Sequence, residues 1–223
     1  MSDKAVVLLS GGLDSSTLTA YLQSKGMELY AITMQYGQVH KKEVESAIYI
    51  AKKYNVKEHK IININMNEIS KSALTDSSIS IPENREYFQD IPVTYVPARN
   101  IIFLSIALSY AESKGIDNIA IGANSIDYSG YPDCRDEFFK SYEKMAKVGT
   151  KYGVEGGEFK IIRPLIDMSK KDIVLLGNSL KVPFEHTWSC YKGQDVPCGV
   201  CDSCKLRHKG FEEAGVKDPL ENH

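Results

Sequence analysis

The stretch AVVLLSGGLDSSTL, Ala5 to Leu18, decides how the rest of the chain is read. AVVLL is short and wholly apolar, as a parallel strand buried on both faces has to be. SGGLDSS follows, and then helical spacing sets in, with Leu18, Tyr21 and Leu22 on one face of a helix from Ser15 to Lys25. A strand, a glycine-rich turn and a helix in that order place free N–H groups and a positive dipole end at the carboxyl edge of a sheet. Open α/β proteins bind their ligands at that edge. Gly11 and Gly12 let the backbone approach an anion, and Ser10, Ser15 and Ser16 add hydroxyl donors. Asp14 would repel a phosphate, and it makes sense there if it holds Mg²⁺ directly or through water. The loop has no lysine and so is not G-x-x-x-x-G-K-[ST], and its glycine spacing is not G-x-G-x-x-G either.

Outward from this stretch, strands and helices alternate. ELYAITM (Glu28 to Met34), HKIININ (His59 to Asn65), DNIAIG (Asp117 to Gly122) and FKIIRPLI (Phe159 to Ile166) read as strands. Val44, Ala47, Ile48 and Ala51 mark a helix. Arg99 to Ser113 is apolar on most sides and is expected to be central. Asp133 to Val148 reads as a further helix, and Ser169, with Asp172 three residues on, caps another that runs to about Leu180. Ile69 to Thr94 is polar, carries Pro82 and Pro92, and reads as a long loop or lid. Alternation implies right-handed crossovers and a parallel sheet. The expected fold is α/β, an open, mostly parallel sheet sandwiched by helices over residues 1–182. A small metal-held segment, 183–223, follows and reads as irregular from Pro183 onward.

The chain has 223 residues, 43% of them hydrophobic, and a net charge of −2. It carries no strongly basic field, so nucleic acid is not an expected partner. No run approaches the ~20 apolar residues of a membrane span, and MSDKAVVLLSGG has too short an apolar run for a signal peptide. A soluble, cytoplasmic protein without a membrane partner is expected.

Of five cysteines, Cys190, Cys198, Cys201 and Cys204 cluster with the spacing C-x7-C-x2-C-x2-C. Two C-x2-C steps share Cys201, and turns at Pro197 and Gly199 can aim the thiolates at one tetrahedral Zn²⁺. Four cysteines leave no open position, so the site reads as structural. An iron–sulfur cluster has the same ligand count, and disulfides or a redox cysteine are the alternatives that a reducing compartment disfavours. His186 and His208 read as solvated, and Cys134 as a packed thiol.

GANSIDYSGYPDCRDEF, Gly122 to Phe138, follows the fourth strand and gathers Asp127, Tyr128, Tyr131, Asp133 and Arg135. Aromatic rings can stack on a planar heterocycle, and a carboxylate can pair with the N–H edge of a guanine-like base. A polar loop with Asp133 capping the next helix explains the same residues, and both readings stand at this point.

SGGLDSS resembles the SGGxDS loop of the N-type ATP pyrophosphatases, the PP-loop family. The resemblance implies an adenine-nucleotide alpha-hydrolase-like fold and an ATP segment of Leu9, Ser10, Gly11, Gly12, Leu13, Asp14, Ser15, Ser16, Thr17, Leu18 and Thr19. It also implies attack on the α-phosphorus with release of intact pyrophosphate. DYSGYPDCR, YVPARN (Tyr95 to Asn100), QYGQVH (Gln35 to His40) and the tail WSCYKG with PCGVCDSC together resemble the 7-cyano-7-deazaguanine synthase family, from Val6 to about Lys209. Gln35 stands where an acidic residue is expected.

That second resemblance implies conversion of 7-carboxy-7-deazaguanine to its nitrile in queuosine biosynthesis, using ammonia, ATP and Mg²⁺, through an adenylated carboxylate, an amide and an adenylated amide. It implies Asp14, Ser15, Arg99 and Lys170 as catalytic residues, with Arg99 and Lys170 neutralising charge on the leaving pyrophosphate. Their plain alternatives are a surface salt bridge and a solvated helix residue. The backbone at Thr33 and Met34 would face adenine, and Asp127, Tyr128, Tyr131 and Asp133 would form the deazaguanine pocket. A structural Zn²⁺, free ammonia as the nitrogen source and a homodimer are implied as well. The competing readings are a PP-loop enzyme that thiolates or ligates tRNA, an NAD or GMP synthase, and, in another class, a zinc-stabilised nucleotide-binding module without turnover.

Overall fold

A computed structural model describes residues 3–37, 42–83, 91–124, 131–192 and 195–221. The elements in chain order are β1 (Lys4–Leu8), α1 (Leu13–Ser24), β2 (Glu28–Gln35), α2 (Lys42–Lys53), β3 (Glu58–Asn63), α3 (Arg99–Lys114), β4 (Asn118–Ile121), α4 (Asp136–Gly149), α5 (Lys151–Val154), β5 (Lys160–Ile162), α6 (Lys170–Ser179) and α7 (Asp202–Ala214). All strand pairs are parallel, in the order β3-β2-β1-β4-β5. β1 lies at the centre with β2 and β4 on its flanks, so Ala5, Val6 and Val7 are 0% exposed. That is why every position of this strand after Lys4 is apolar.

The period of two along β1 divides the core between two layers. Val6 and Leu8 pack with Leu104, Ala107 and Leu108 of α3 and Phe139 and Tyr142 of α4. Ala5 and Val7 pack with Leu18 and Leu22 of α1, Ile173 and Val174 of α6, and Phe211 of α7. The chain leaves β1 in one direction for β2 and β3, then returns to the other flank for β4 and β5. The crevice above the carboxyl ends of β1 and β4 is therefore the topological switch point, where α/β sheets bind ligands. Among the described residues, no helix is long and apolar enough to cross a membrane.

Four expectations change. α3 is not central: Leu104, Ala107, Leu108 and Ala111 face the sheet, while Ile101 on the opposite side is 44% exposed. Asp133 does not cap α4, whose N-cap is Arg135. It lies in a separate 3-10 turn, Pro132–Cys134, and accepts the backbone N–H of Asn100 (3.1 Å) in the first turn of α3. The fifth strand stops at Ile162, after which Arg163 reaches back to Asp136 and Glu143. The tail is not irregular throughout, because α7 fills thirteen residues of it. Its buried face includes Ser203, Arg207 and Gly210, which hydrophobic periodicity does not register. The capping box of Ser169 and Asp172 is present at α6.

α7 is anchored by a buried ion pair. Arg207 donates to both oxygens of Asp218 (2.6 and 2.8 Å), to Thr187 Oγ1 (2.8 Å) and to Phe184 O (3.1 Å). The two side chains are 5% and 7% exposed, and each of the three guanidinium nitrogens donates to the network. Asp218→Ala is expected to remove about 3–5 kcal/mol of unfolding free energy by leaving a buried cation unpaired. Lys140→Ala, which breaks the exposed pair with Asp136, should change it by less than about 1 kcal/mol. Urea titration of both variants checks this, and equal losses would contradict it.

Candidate functional site

The loop after β1 is shaped by contacts on every side. Gly11 has φ +82°, and a Cβ there would lie 2.6 Å from Ala47 N and 2.9 Å from Ser46 Cβ. Glycine thus serves two needs at once, a left-handed turn and close seating on α2. Gly12 is the N-cap of α1. Ser10 Oγ and Ser15 Oγ lie 3.0 Å apart; Ser15 Oγ takes the N–H of Ser10 (3.2 Å), and Ser10 Oγ takes that of Gly12 (3.2 Å). The first α1 hydrogen bond runs from Ser16 N to Gly12 O (3.0 Å), so the N–H groups of Leu13, Asp14 and Ser15 have no helical carbonyl to bind. This is an anion cradle. Gly122 at the end of β4 lets the cradle close in, since a Cβ there would meet Ser15 N at 3.1 Å. Ser16 and Thr17 turn inward: both are fully buried, and neither hydroxyl has a partner among the described residues. Thr19 Oγ1 binds Ser15 O (2.7 Å), and Leu18 belongs to the core.

Two outside groups fix the loop's carbonyls. Thr33 Oγ1 donates to Leu9 O (2.6 Å), and its single proton being used, it accepts from His59 Nε2 (2.7 Å). Burial pushes the His59 pKa down, which keeps the ring neutral with Nε2 as donor. The backbone N–H of Trp188 donates to Gly11 O (2.9 Å), so the cysteine-rich segment touches the loop directly.

The lysine missing from the loop arrives from elsewhere. Lys170, the first residue of α6, places Nζ 2.8 Å from each carboxylate oxygen of Asp14. The side chains are 8% and 17% exposed. Asp14 is therefore neutralised where an incoming phosphate would meet it.

Above the loop lies a cleft of about 240 Å³. Asp14, Ser15, Lys170, Arg99 and Tyr131 line it, together with Met34 at the end of β2. Arg99 is the first residue of α3 and follows Ala98, the N-cap, which holds a left-handed φ of +56°. Its guanidinium sits 5.9 Å from the Tyr36 ring, and among the described residues no carboxylate pairs with it. Tyr36 packs at a tilt against Phe103 (ring centroids 5.3 Å apart), while Tyr131 contacts Tyr95 (5.8 Å) and hydrogen-bonds Thr94 Oγ1 (2.9 Å). Burial raises the pKa of both Tyr36 and Tyr131, so each remains a neutral phenol. Asp133 is buried behind this wall, and its Oδ1 has no partner among the described residues. Asp127 and Tyr128 lie outside the described residues. Tyr36, Trp188, Tyr191 and Arg207 also line the cleft without having been assigned a role from the sequence. Tyr36, Trp188 and Tyr191 fall within QYGQVH and WSCYKG, which were the available signal.

The four tail cysteines converge, all Sγ atoms lying within 4.8 Å of one another. Cys198 Sγ and Cys204 Sγ are 3.9 Å apart, close to the about 3.8 Å that tetrahedral 2.3 Å zinc–sulfur bonds imply. Gly199 turns at φ +72°, and Cys201 is the N-cap of α7. Backbone N–H groups of Lys192 and Cys198 point at Cys190 Sγ (3.4 Å each). Hydrogen bonds from the Cys201 and Cys204 thiols hold Cys190 well below the usual thiol range, with these two N–H groups adding to the effect. Four soft donors in a closed shell suit structural zinc. Cys134 differs: burial pushes its thiol up to about 12, with the Asp133 carboxylate adding to the shift, and it packs by Asn100 Nδ2 (3.4 Å).

Two outcomes follow from this chemistry. Cys198→Ser should bind less than one zinc per chain and melt at lower temperature; a variant with full metal content and normal melting would contradict the cluster. Because the folded pKa of Cys134 stands above the ordinary thiol value, its stabilising effect is full at neutral pH and fades as pH rises toward about 12. Alkylation of Cys134, followed by mass spectrometry, should be negligible at pH 8 in the folded protein. Rapid labelling there would contradict the buried thiol.

Over residues 4–215 the chain matches the family described as Queuosine biosynthesis protein QueC. The 7-cyano-7-deazaguanine synthase of Thermoplasma volcanium is 57% identical over 223 residues, covering 99% of this chain and 91% of its own. That of Nostoc punctiforme is 51% identical over 220 residues, covering 97% and 98%. The NMN synthetase of Francisella tularensis shares the fold at 16% identity and a TM-score of 0.52, over 97% of this chain and 88% of that one. The phosphate loop, the cleft and the cysteine cluster all fall within the matched span, and the chain belongs to the QueC family of the PP-loop ATP pyrophosphatases.

Proposed function

We propose that the protein is an ATP-dependent carbon–nitrogen ligase that converts 7-carboxy-7-deazaguanine and ammonia into 7-cyano-7-deazaguanine. The observation that carries this reading is the pairing of Lys170 with Asp14 beside an anion cradle, at the mouth of a cleft walled by Arg99 and aromatic rings.

The chemistry needs two activations. A carboxylate is a poor electrophile, so its oxygen attacks the α-phosphorus of ATP, giving an acyl adenylate and pyrophosphate. Ammonia adds to the acyl carbon, AMP leaves with that oxygen, and the amide remains. The amide oxygen then attacks a second ATP in the same way. Loss of AMP and two protons gives the nitrile. Both steps break the same bond of ATP, so one loop serves both.

The N–H groups of Leu13, Asp14 and Ser15 would hold the pyrophosphate, with Lys170 and Arg99 opposing the charge that builds on it. A lysine on β- and γ-phosphates suits transfer of the terminal phosphoryl group. Here the lysine is anchored to the start of α1, where an intact pyrophosphate would leave. The backbone at Thr33 and Met34 is the proposed adenine contact, and Tyr131, Asp127 and Tyr128 the proposed deazaguanine pocket, with Asp133 at its back contributing the Oδ1 that has no partner among the described residues. Mg²⁺ would accompany ATP and supply charge neutralisation at the phosphates. Asp14 would hold it, since a carboxylate bound by one lysine still has lone pairs free and Mg²⁺ needs few protein ligands. Residues 183–223 are proposed as a zinc-held segment added to the 1–182 domain, and the active species as a cytoplasmic homodimer, as the family resemblance implies.

Incubation with ATP, Mg²⁺, ammonium and 7-carboxy-7-deazaguanine should show the amide first and the nitrile later by mass spectrometry. Lys170→Ala should lower kcat by on the order of 10² or more, with the KM for ATP changed far less. Asp14→Ala should likewise slow pyrophosphate release. Wild-type rates in both variants, or accumulation of ADP in place of AMP, would refute the reading.

A further inference from the structure

Gly210 lies in the interior of α7, where glycine weakens a helix relative to alanine. Its φ is not left-handed, so backbone conformation does not call for glycine there. Space does. A Cβ at this position would overlap Lys170 Cγ, stand 3.0 Å from Lys170 Cβ and lie 3.2 Å from the Lys170 carbonyl carbon. The closest of these atoms is near the root of the lysine stem, so no movement of the chain's far end relieves the overlap. The whole stem has to swing, and Nζ swings with it.

α7 is poorly placed to give way. Its first turn holds Cys201 and Cys204 of the metal cluster, and its middle is fixed by Arg207 through Asp218, Thr187 and Phe184. One turn beyond Arg207 comes the gap at Gly210, and through it passes the buried side chain whose Nζ binds Asp14. We infer that Gly210 is a positioning residue for Lys170: α7 is pressed against the start of α6, and its missing side chain leaves the channel that sets where the ammonium stands over the phosphate loop. The zinc segment thus acts on the reaction through the placement of one cation. This inference rests on the proposed role of Lys170.

The test is a double-mutant cycle of Gly210→Ala and Lys170→Ala in the zinc-loaded enzyme, with zinc content measured for each variant. Gly210→Ala should retain its zinc and lose kcat by on the order of tenfold to a hundredfold, with the KM for ATP within about threefold, as expected for misplacing a charge by about 1 Å. In the Lys170→Ala background the added alanine should change kcat by less than about twofold, because the overlap with Cγ is gone and no ammonium is left to misplace. Equal losses in the two backgrounds, or a Gly210→Ala enzyme with wild-type kcat beside an impaired Lys170→Ala, would overturn the positioning role alone. A Lys170→Ala enzyme with wild-type kcat would instead refute the role of the lysine, and the inference with it. If Gly210→Ala does not accumulate as soluble protein, thermal melting of the double variant decides. A double variant that folds and melts cooperatively supports the clash with the lysine stem beyond Cβ, and failure to fold contradicts it.

Discussion

The ion pair between Lys170 and Asp14 joins parts of the chain 156 residues apart and gives the phosphate loop its charge balance. The loop offers backbone N–H groups and a helix dipole, both suited to anions, but it also carries a carboxylate. With a lysine on both carboxylate oxygens, that carboxylate no longer opposes phosphate binding. A largely buried pair of this kind is weak evidence for stability, because desolvation offsets much of the attraction. Its value lies in placement: the first turn of α6 sits where a loop-borne lysine would otherwise be needed, and the capping box of Ser169 and Asp172 fixes that turn.

The cysteine-rich segment is structurally part of the same site. Trp188 packs with Cys190, Cys201 and Cys204 on one side and binds Gly11 O through its backbone on the other. Lys42 of α2 lies 4.6 Å from the Trp188 ring, so α2, the loop and the cluster meet at one residue. Arg207 has a similar double role, lining the cleft while its guanidinium is held by Asp218. A closed cluster of four cysteines, suited to a metal, therefore serves as scaffold for a cleft whose chemistry is that of ATP.

Much of this was legible in the sequence for physical reasons. A strand buried on both faces must be wholly apolar, and Ala5 to Leu9 is. Capping needs a hydroxyl and a carboxylate three residues apart, and Ser169 and Asp172 are. Tetrahedral thiolate binding needs closely spaced cysteines, and Cys198, Cys201 and Cys204 are. What escaped was long-range or carried by residues with several uses. The Lys170 contact to Asp14 has no local signature. α7 hid because Ser203, Arg207 and Gly210 occupy its buried face, one as part of an ion-pair network and one as empty space. Asp133 suited either a helix cap or a base contact; the structure sets it at the N-terminus of α3, a helix earlier in sequence than itself. α3 read as central because its outer face keeps isoleucines at positions 101, 102 and 106.

In the proposed reaction, substrate oxygen attacks the α-phosphorus twice in one cleft. The most direct measurement uses 7-carboxy-7-deazaguanine labelled with ¹⁸O in both carboxylate oxygens, with mass spectrometry of the nucleotide and phosphate products. Two AMP per nitrile are expected, each carrying one ¹⁸O, with unlabelled pyrophosphate. Label in inorganic phosphate, or ADP as the nucleotide product, would contradict that reaction.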